Sequence, residues 1–207
     1  MSKEIQSFIR TNRREILFIA AGSLCVLAMA ILVSFREDRG YVPQEFLQAR
    51  ESAGSYSREI VDLSNQSVEA LGQIAAKDEE GNYAVALSIA QDQAGRFAKL
   101  KDTAVQLSGQ LSQMAIYLDQ IRPIEAKDIG KEAIELNIKM VERLVVYINL
   151  NNQLIDVIEK RLSGKDELAG EIQKLVSQIN GEVNTINSSS ERHKELMSRL
   201  NDLTGIE

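Results

Sequence analysis

Tryptophan is absent from this chain, histidine and cysteine occur once each, and proline occurs twice among 207 residues. Each scarcity closes off a class of chemistry or fold. Structural and catalytic zinc sites draw three or four ligands from His, Cys and carboxylates, so His193 alone cannot build a histidine-based one. The single cysteine, Cys25, lies inside an apolar run, which leaves the rest of the chain with no thiol, disulfide or cysteine metal ligand. Aromatics at 5% disfavour an all-β architecture. Phosphate-cradling glycine loops, nucleophile elbows and HExxH are also missing. The densest acidic cluster, Asp78-Glu79-Glu80, lacks the alternating oxygen ligands of a calcium loop. The expectation is a protein that is not an enzyme and uses no cofactor and no metal.

What is present begins with Ile16 to Phe35, 20 residues without a charge, the length an α-helix needs to cross the hydrocarbon of a bilayer. A secretory signal peptide has a shorter apolar core, about 7–15 residues, and a small-x-small cleavage site. Here the run exits through Val33-Ser34-Phe35-Arg36, and Leu24 before Cys25 rules out lipoprotein processing. Residues 16–35 therefore read as a transmembrane helix. The tail 1–15 carries Lys3 and the topogenic Arg10, Arg13 and Arg14, which the positive-inside tendency keeps in the cytoplasm. Residues 36–43 form a juxtamembrane linker. The expected location is the plasma (inner) membrane, with everything beyond the span in the periplasm or extracellular space. Past Phe35 there are 20 Lys and Arg against 28 Asp and Glu, a balance that repels nucleic acid.

Beyond the linker the apolar spacing is helical. Phe46, Ala49, Ala53, Tyr56, Ile60, Leu63, Ser67, Ala70 and Ile74 alternate steps of three and four, the core pattern of a left-handed bundle. Helix boundaries of about 44–78, 82–121, 125–162 and 166–203 follow from the breakers Gly81, Pro123 and Gly164, with 204–207 as a tail. In the second helix the stripe is read through Leu87, Ala90, Ala94, Phe97, Leu100 and Ala104, which shortens the phase once, a stammer. Equal lengths and short turns predict an all-α fold: an antiparallel up-down-up-down four-helix bundle at 44–203. Each helix would be about 57 Å long at 1.5 Å per residue.

The third helix has an apolar face wider than one seam needs. Ile138, Leu144, Tyr147, Leu150 and Leu154 either mark a helix buried more deeply than its partners or form an interaction face for another subunit. His193 falls on the stripe of the fourth helix. Counting equal rises from the turns puts it level with Tyr56 and Ser108, and these with Ser189 make a candidate polar core layer that fixes register. The small residues Ala49, Ala53, Ala90, Ala94 and Ala104 mark either close helix approach or a gap that holds a small molecule.

A short cytoplasmic tail, one span and four helices of comparable length resemble the extracytoplasmic sensor module of bacterial chemoreceptors. The likeness is architectural and carries no motif, and the second span and cytoplasmic signalling helices of that family have no counterpart here. It implies a sensory ectodomain that signals through a partner membrane protein, and it assigns no ligand-binding residue. From the residues themselves, the leading expectation is a membrane-anchored scaffold or protein-interaction element of the cell envelope. The sensory or ligand-binding ectodomain is the alternative. Expected partners are the lipid bilayer and either a protein partner or further copies in a homo-oligomer, with no nucleic acid.

Overall fold

Four helices account for nearly all of the residues that the computed structural model describes, 40–163 and 168–206. They are α1 (Gln44–Glu79), α2 (Tyr83–Tyr117), α3 (Ile124–Leu162) and α4 (Ala169–Thr204), with a 3-10 turn at Leu118–Gln120 extending α2. The expectation of an all-α, four-helix arrangement is met. Among the described residues no helix is long and apolar enough to cross a membrane. The expected span at 16–35 and the tail with Arg10, Arg13 and Arg14 lie outside the described residues.

Cross-helix pairs give the directions. Glu125–Arg199, Glu132–Arg192 and Arg143–Glu182 climb α3 while descending α4, so these two helices are antiparallel. Lys99–Glu59 at 2.9 Å and Arg96 to the Gln66 carbonyl at 3.2 Å do the same for α2 and α1. Arg161–Asp78 joins the like ends of α3 and α1. Most of these pairs are exposed and add little stability; their value is that they report register.

The turns follow from the residues at them. At the end of α1 the Asn82 N–H bonds to the Lys77 carbonyl at 2.9 Å and the Gly81 N–H to that of Asp78 at 3.0 Å, the paired bonds of a Schellman cap. Gly81 has φ +72°, a left-handed conformation that costs a residue with a Cβ about 1–2 kcal/mol. Pro123 precedes α3, where its missing N–H is no loss. Tyr41 and Arg122 exchange backbone N–H···O bonds of 2.9 Å in both directions, tying the entrance of α1 to the α2–α3 turn.

The core divides into two clusters along the bundle. One gathers Phe46, Leu111, Ile121, Leu196 and Leu200 at the Tyr41 end. The other gathers Phe97, Leu100, Ile148 and Leu154 toward the Gly81 end. Burying each such side chain contributes about 1.5–3 kcal/mol before the entropy of ordering it is subtracted.

The packing bears on three sequence expectations. The core stripe of α2 runs Ala86, Ala90, Gln93, Phe97, Leu100, Ala104, Leu107, Leu111 and Met114, an unbroken alternation of four and three. Leu87 is half-buried and Ala94 exposed, and there is no stammer: following Leu87 and Ala94 instead of the small Ala86 and the polar Gln93 produced it. Second, of the two readings of the wide face of α3, deeper burial fits: Leu144, Tyr147 and Leu154 are buried, Leu150 is half-buried and only Ile138 is exposed. The reason is that α3 packs closely against both α2 and α4, so its wide face is used inside the bundle. Third, the stripe of α4 on which His193 was expected, through Ile172, Leu175, Ile179, Val183, Ile186, Leu196 and Leu200, is only partly covered. Leu175, Ile179, Leu196 and Leu200 are buried, whereas Ile172, Val183, Ile186 and His193 are half-buried, because α4 lies close to α3 but stands off from α1.

Candidate ligand groove

Where α1 and α4 stand apart, a groove of about 400 Å³ opens between them. It lies at the junction of the two core clusters: Ala53, Leu107 and Met114 come from one, Leu144 from the other, and Ile60 and Val141 touch both. A volume of this size is within the range of small-molecule sites. The walls are α1 from Arg50 to Val61 and α4 from Ile186 to Met197, with the floor supplied by α2 and α3. Arg50 to Val61 spans about 16 Å of helix.

One end of the groove is polar. Arg50 is half-buried, and its Nη1 donates to Asn201 Oδ1 at 2.9 Å. Among the described residues it has no carboxylate partner. Burial lowers its pKa, but a guanidinium titrates so far above neutrality that it stays charged. On the facing helices, His193 Nε2 lies 2.7 Å from Asn137 Nδ2. With the amide in this orientation Asn137 donates to Nε2, which assigns the ring proton to Nδ1. Burial, and secondarily the Arg50 charge, push the His193 pKa below its ordinary value. At neutral pH the ring is therefore an uncharged group with one N–H to offer.

The remaining lining is apolar and adaptable. Met114, Met140 and Met197, which are all the methionines beyond residue 35, line this one groove. Thioether side chains are flexible and polarizable and suit a surface that must mould to an occupant. Ser57 and Ser190 add hydroxyls, and Lys194 sits at the rim paired with Glu191 at 2.7 Å.

The residues singled out from sequence are distributed unevenly about this site. His193 lines it and Tyr56 is half-buried beside the Tyr41-end cluster. Ser108 is exposed and its carbonyl accepts from Ser112 Oγ at 3.0 Å. Ser189 is half-buried, but its neighbour Ser190 is the one lining the groove. Among the described residues no hydrogen bond joins His193 to Tyr56, Ser108 or Ser189, and its partner is Asn137. Counting rises fixes a residue's level along the bundle and says nothing of its angle about the helix axis. Of the small residues, Ala53 lines the groove, while Ala90 and Ala104 are buried in close helix packing.

Arg50, Asn137 and Met140 carry the groove and were not legible as site residues from spacing. Arg50 did leave a trace. Its same-face neighbours at three and four residues are Phe46, Leu47, Ala53 and Gly54, so no local carboxylate can pair with it.

A second polar feature sits inside the core. Gln93 is fully buried, and neither its Oε1 nor its Nε2 has a partner among the described residues. Asn151, also buried, donates to the Tyr147 carbonyl at 2.8 Å and leaves its Oδ1 without one. Among the described residues no three His, Cys, Asp or Glu side chains gather as a metal site requires. Comparison with protein-family models, with curated proteins and with solved structures finds no match for this chain.

Proposed function

We propose that this chain is a membrane-anchored, non-enzymatic ligand-binding module, whose groove between α1 and α4 receives a small molecule and whose helices pass its presence to a partner membrane protein. The observation that carries this reading is the groove itself: about 400 Å³, open between α1 and α4, which are not closely packed as the consecutive helices are. A molecule wedged there changes the spacing of α1 and α4 while the close α1–α2, α2–α3 and α3–α4 seams stay fixed. Ligand occupancy thus has a defined mechanical output, a change in the separation of α1 and α4. The uncharged run 16–35 and the basic tail before it support an anchor with the bundle outside the cytoplasm.

The test is thermal unfolding of the full chain in lipid nanodiscs, followed by circular dichroism, against a panel of organic acids, amines and neutral apolar compounds. A ligand at a hundred times its Kd stabilises the fold by about 2.7 kcal/mol, which raises the melting temperature measurably. A panel that leaves the melting temperature unchanged throughout overturns the reading. A scaffold role is the second reading, favoured by Val61 and Val68, exposed seven residues apart on one face of α1. Light scattering that finds a stable oligomer without ligand supports it, and a strict monomer counts against it.

A further inference from the structure

The lining of the groove narrows what it accepts. In a chain with 30 Asp and Glu against 24 Lys and Arg, no carboxylate lines the groove. The polar groups there are instead a guanidinium, an amide, an imidazole, two hydroxyls and, at the rim, an ammonium. Arg50 uses one N–H on Asn201, which leaves most of its five donors for an acceptor of matching geometry. A cation would enter against this charge with nothing to pair it, and a neutral molecule would leave the half-buried guanidinium uncompensated.

The polar and apolar groups are also sorted along the bundle. Moving toward the Gly81 end, Ile60 lies ten residues beyond Arg50, Leu144 seven beyond Asn137, and Ile186 seven before His193 on the antiparallel α4. On α1, α3 and α4 a polar residue is therefore followed by an apolar one about two or three turns later.

We propose that the groove binds a monocarboxylate with an apolar body no longer than about 16 Å, its carboxylate held by the Arg50 guanidinium and its body laid along Ile60, Leu144 and Ile186. A planar guanidinium fork matches a carboxylate with two parallel hydrogen bonds. The three methionines adapt the floor to the shape of the body. This assignment rests on the ligand-binding reading above and adds the chemical class.

Isothermal titration of the full chain in lipid nanodiscs, with empty nanodiscs as the blank, tests it using decanoate, decanol and decyltrimethylammonium. Decanoate is expected to bind about tenfold or more tightly than decanol, the increment of one charge-assisted hydrogen bond, and decyltrimethylammonium more weakly than either. Arg50→Gln should bring decanoate down to the affinity of decanol and leave decanol unchanged, and Arg50→Lys should keep part of the gap. Ser57→Trp, two turns from Arg50 along α1, fills the groove with Arg50 left in place, and should abolish binding of decanoate and decanol in a chain with unaltered helical dichroism. That variant keeps the test decisive if Arg50→Gln does not fold. Equal affinity for decanoate and decanol, or a gap that survives Arg50→Gln, overturns the carboxylate assignment and leaves the groove as a ligand site. Heats no larger than the blank for all three probes overturn the ligand-binding reading, and the assignment with it.

Discussion

Arg50 on α1 donates to Asn201 on α4 at 2.9 Å, and among the described residues no other side-chain hydrogen bond joins these two helices. The bond closes the seam at the Tyr41 end, and the groove opens immediately beyond it. Asn201→Ala removes the acceptor and leaves the guanidinium with access to solvent through the groove. The expected cost is about 0.5–1.5 kcal/mol, read as a lower urea midpoint with an unchanged m-value.

Gln93 occupies a core position with both of its amide atoms unpaired. A buried polar group without a partner costs about 1–3 kcal/mol, while an apolar residue of similar shape has no such penalty. Gln93→Leu should therefore raise stability by about 1 kcal/mol or more. Denaturant titration checks the sign directly, and a destabilised variant would mean that the amide is satisfied in solution.

Gly130 lets α3 pass close to the 3-10 turn after α2. A Cβ there would stand 3.1 Å from Leu118 Cδ2 and 3.7 Å from Ile121 Cδ1. Gly130→Leu overpacks this contact and should cost about 1–3 kcal/mol, despite the better helix propensity of leucine. Differential scanning calorimetry of the variant beside the parent measures it.

His193 gives the fold a pH dependence with a definite sign. Burial, then the Arg50 charge, lower its pKa in the folded chain, and its contacts are the neutral Asn137 and the cationic Arg50. As pH falls, the unfolded chain takes up the proton first. The stabilisation from a neutral His193 is thus present above the unfolded value of about 6.5 and is lost as pH drops toward the lowered folded one. It is the only histidine, so His193→Gln should flatten the fall in urea midpoint between about pH 7 and pH 5.5.

How much of this was legible in the sequence depends on the kind of information involved. Breakers act locally, and Gly81 and Pro123 stand at the ends of α1 and α3 for reasons contained in their own backbones. The stripe of α2 was legible from Phe97 onward, but Leu87 was read in place of Ala86 and Ala94 in place of Gln93, where residue type contradicted position, and these two shifts produced the false change of phase. The polar neighbourhood of His193 was misread because level along a bundle is additive in residue number, whereas facing direction is not. The groove lay beyond reach for a different reason. It arises from the separation of α1 and α4, helices that are not consecutive and whose spacing no single stripe encodes. Of the residues singled out from sequence, Ala53 and His193 line it, and the confinement of Met114, Met140 and Met197 to one stretch of the bundle and the unpairable Arg50 are further traces of it.

The central claim is that the groove between α1 and α4 is a binding site, and the methionines report on it directly. Of the five in the chain, Met114, Met140 and Met197 line the groove, while Met1 and Met29 belong to the tail and the apolar run. Methyl-labelled methionine spectra of the full chain in nanodiscs, titrated with decanoate, should move the first three signals together along one saturating curve and leave the other two in place. Signals that stay fixed for the groove methionines, or a shift confined to Met29, would contradict the account.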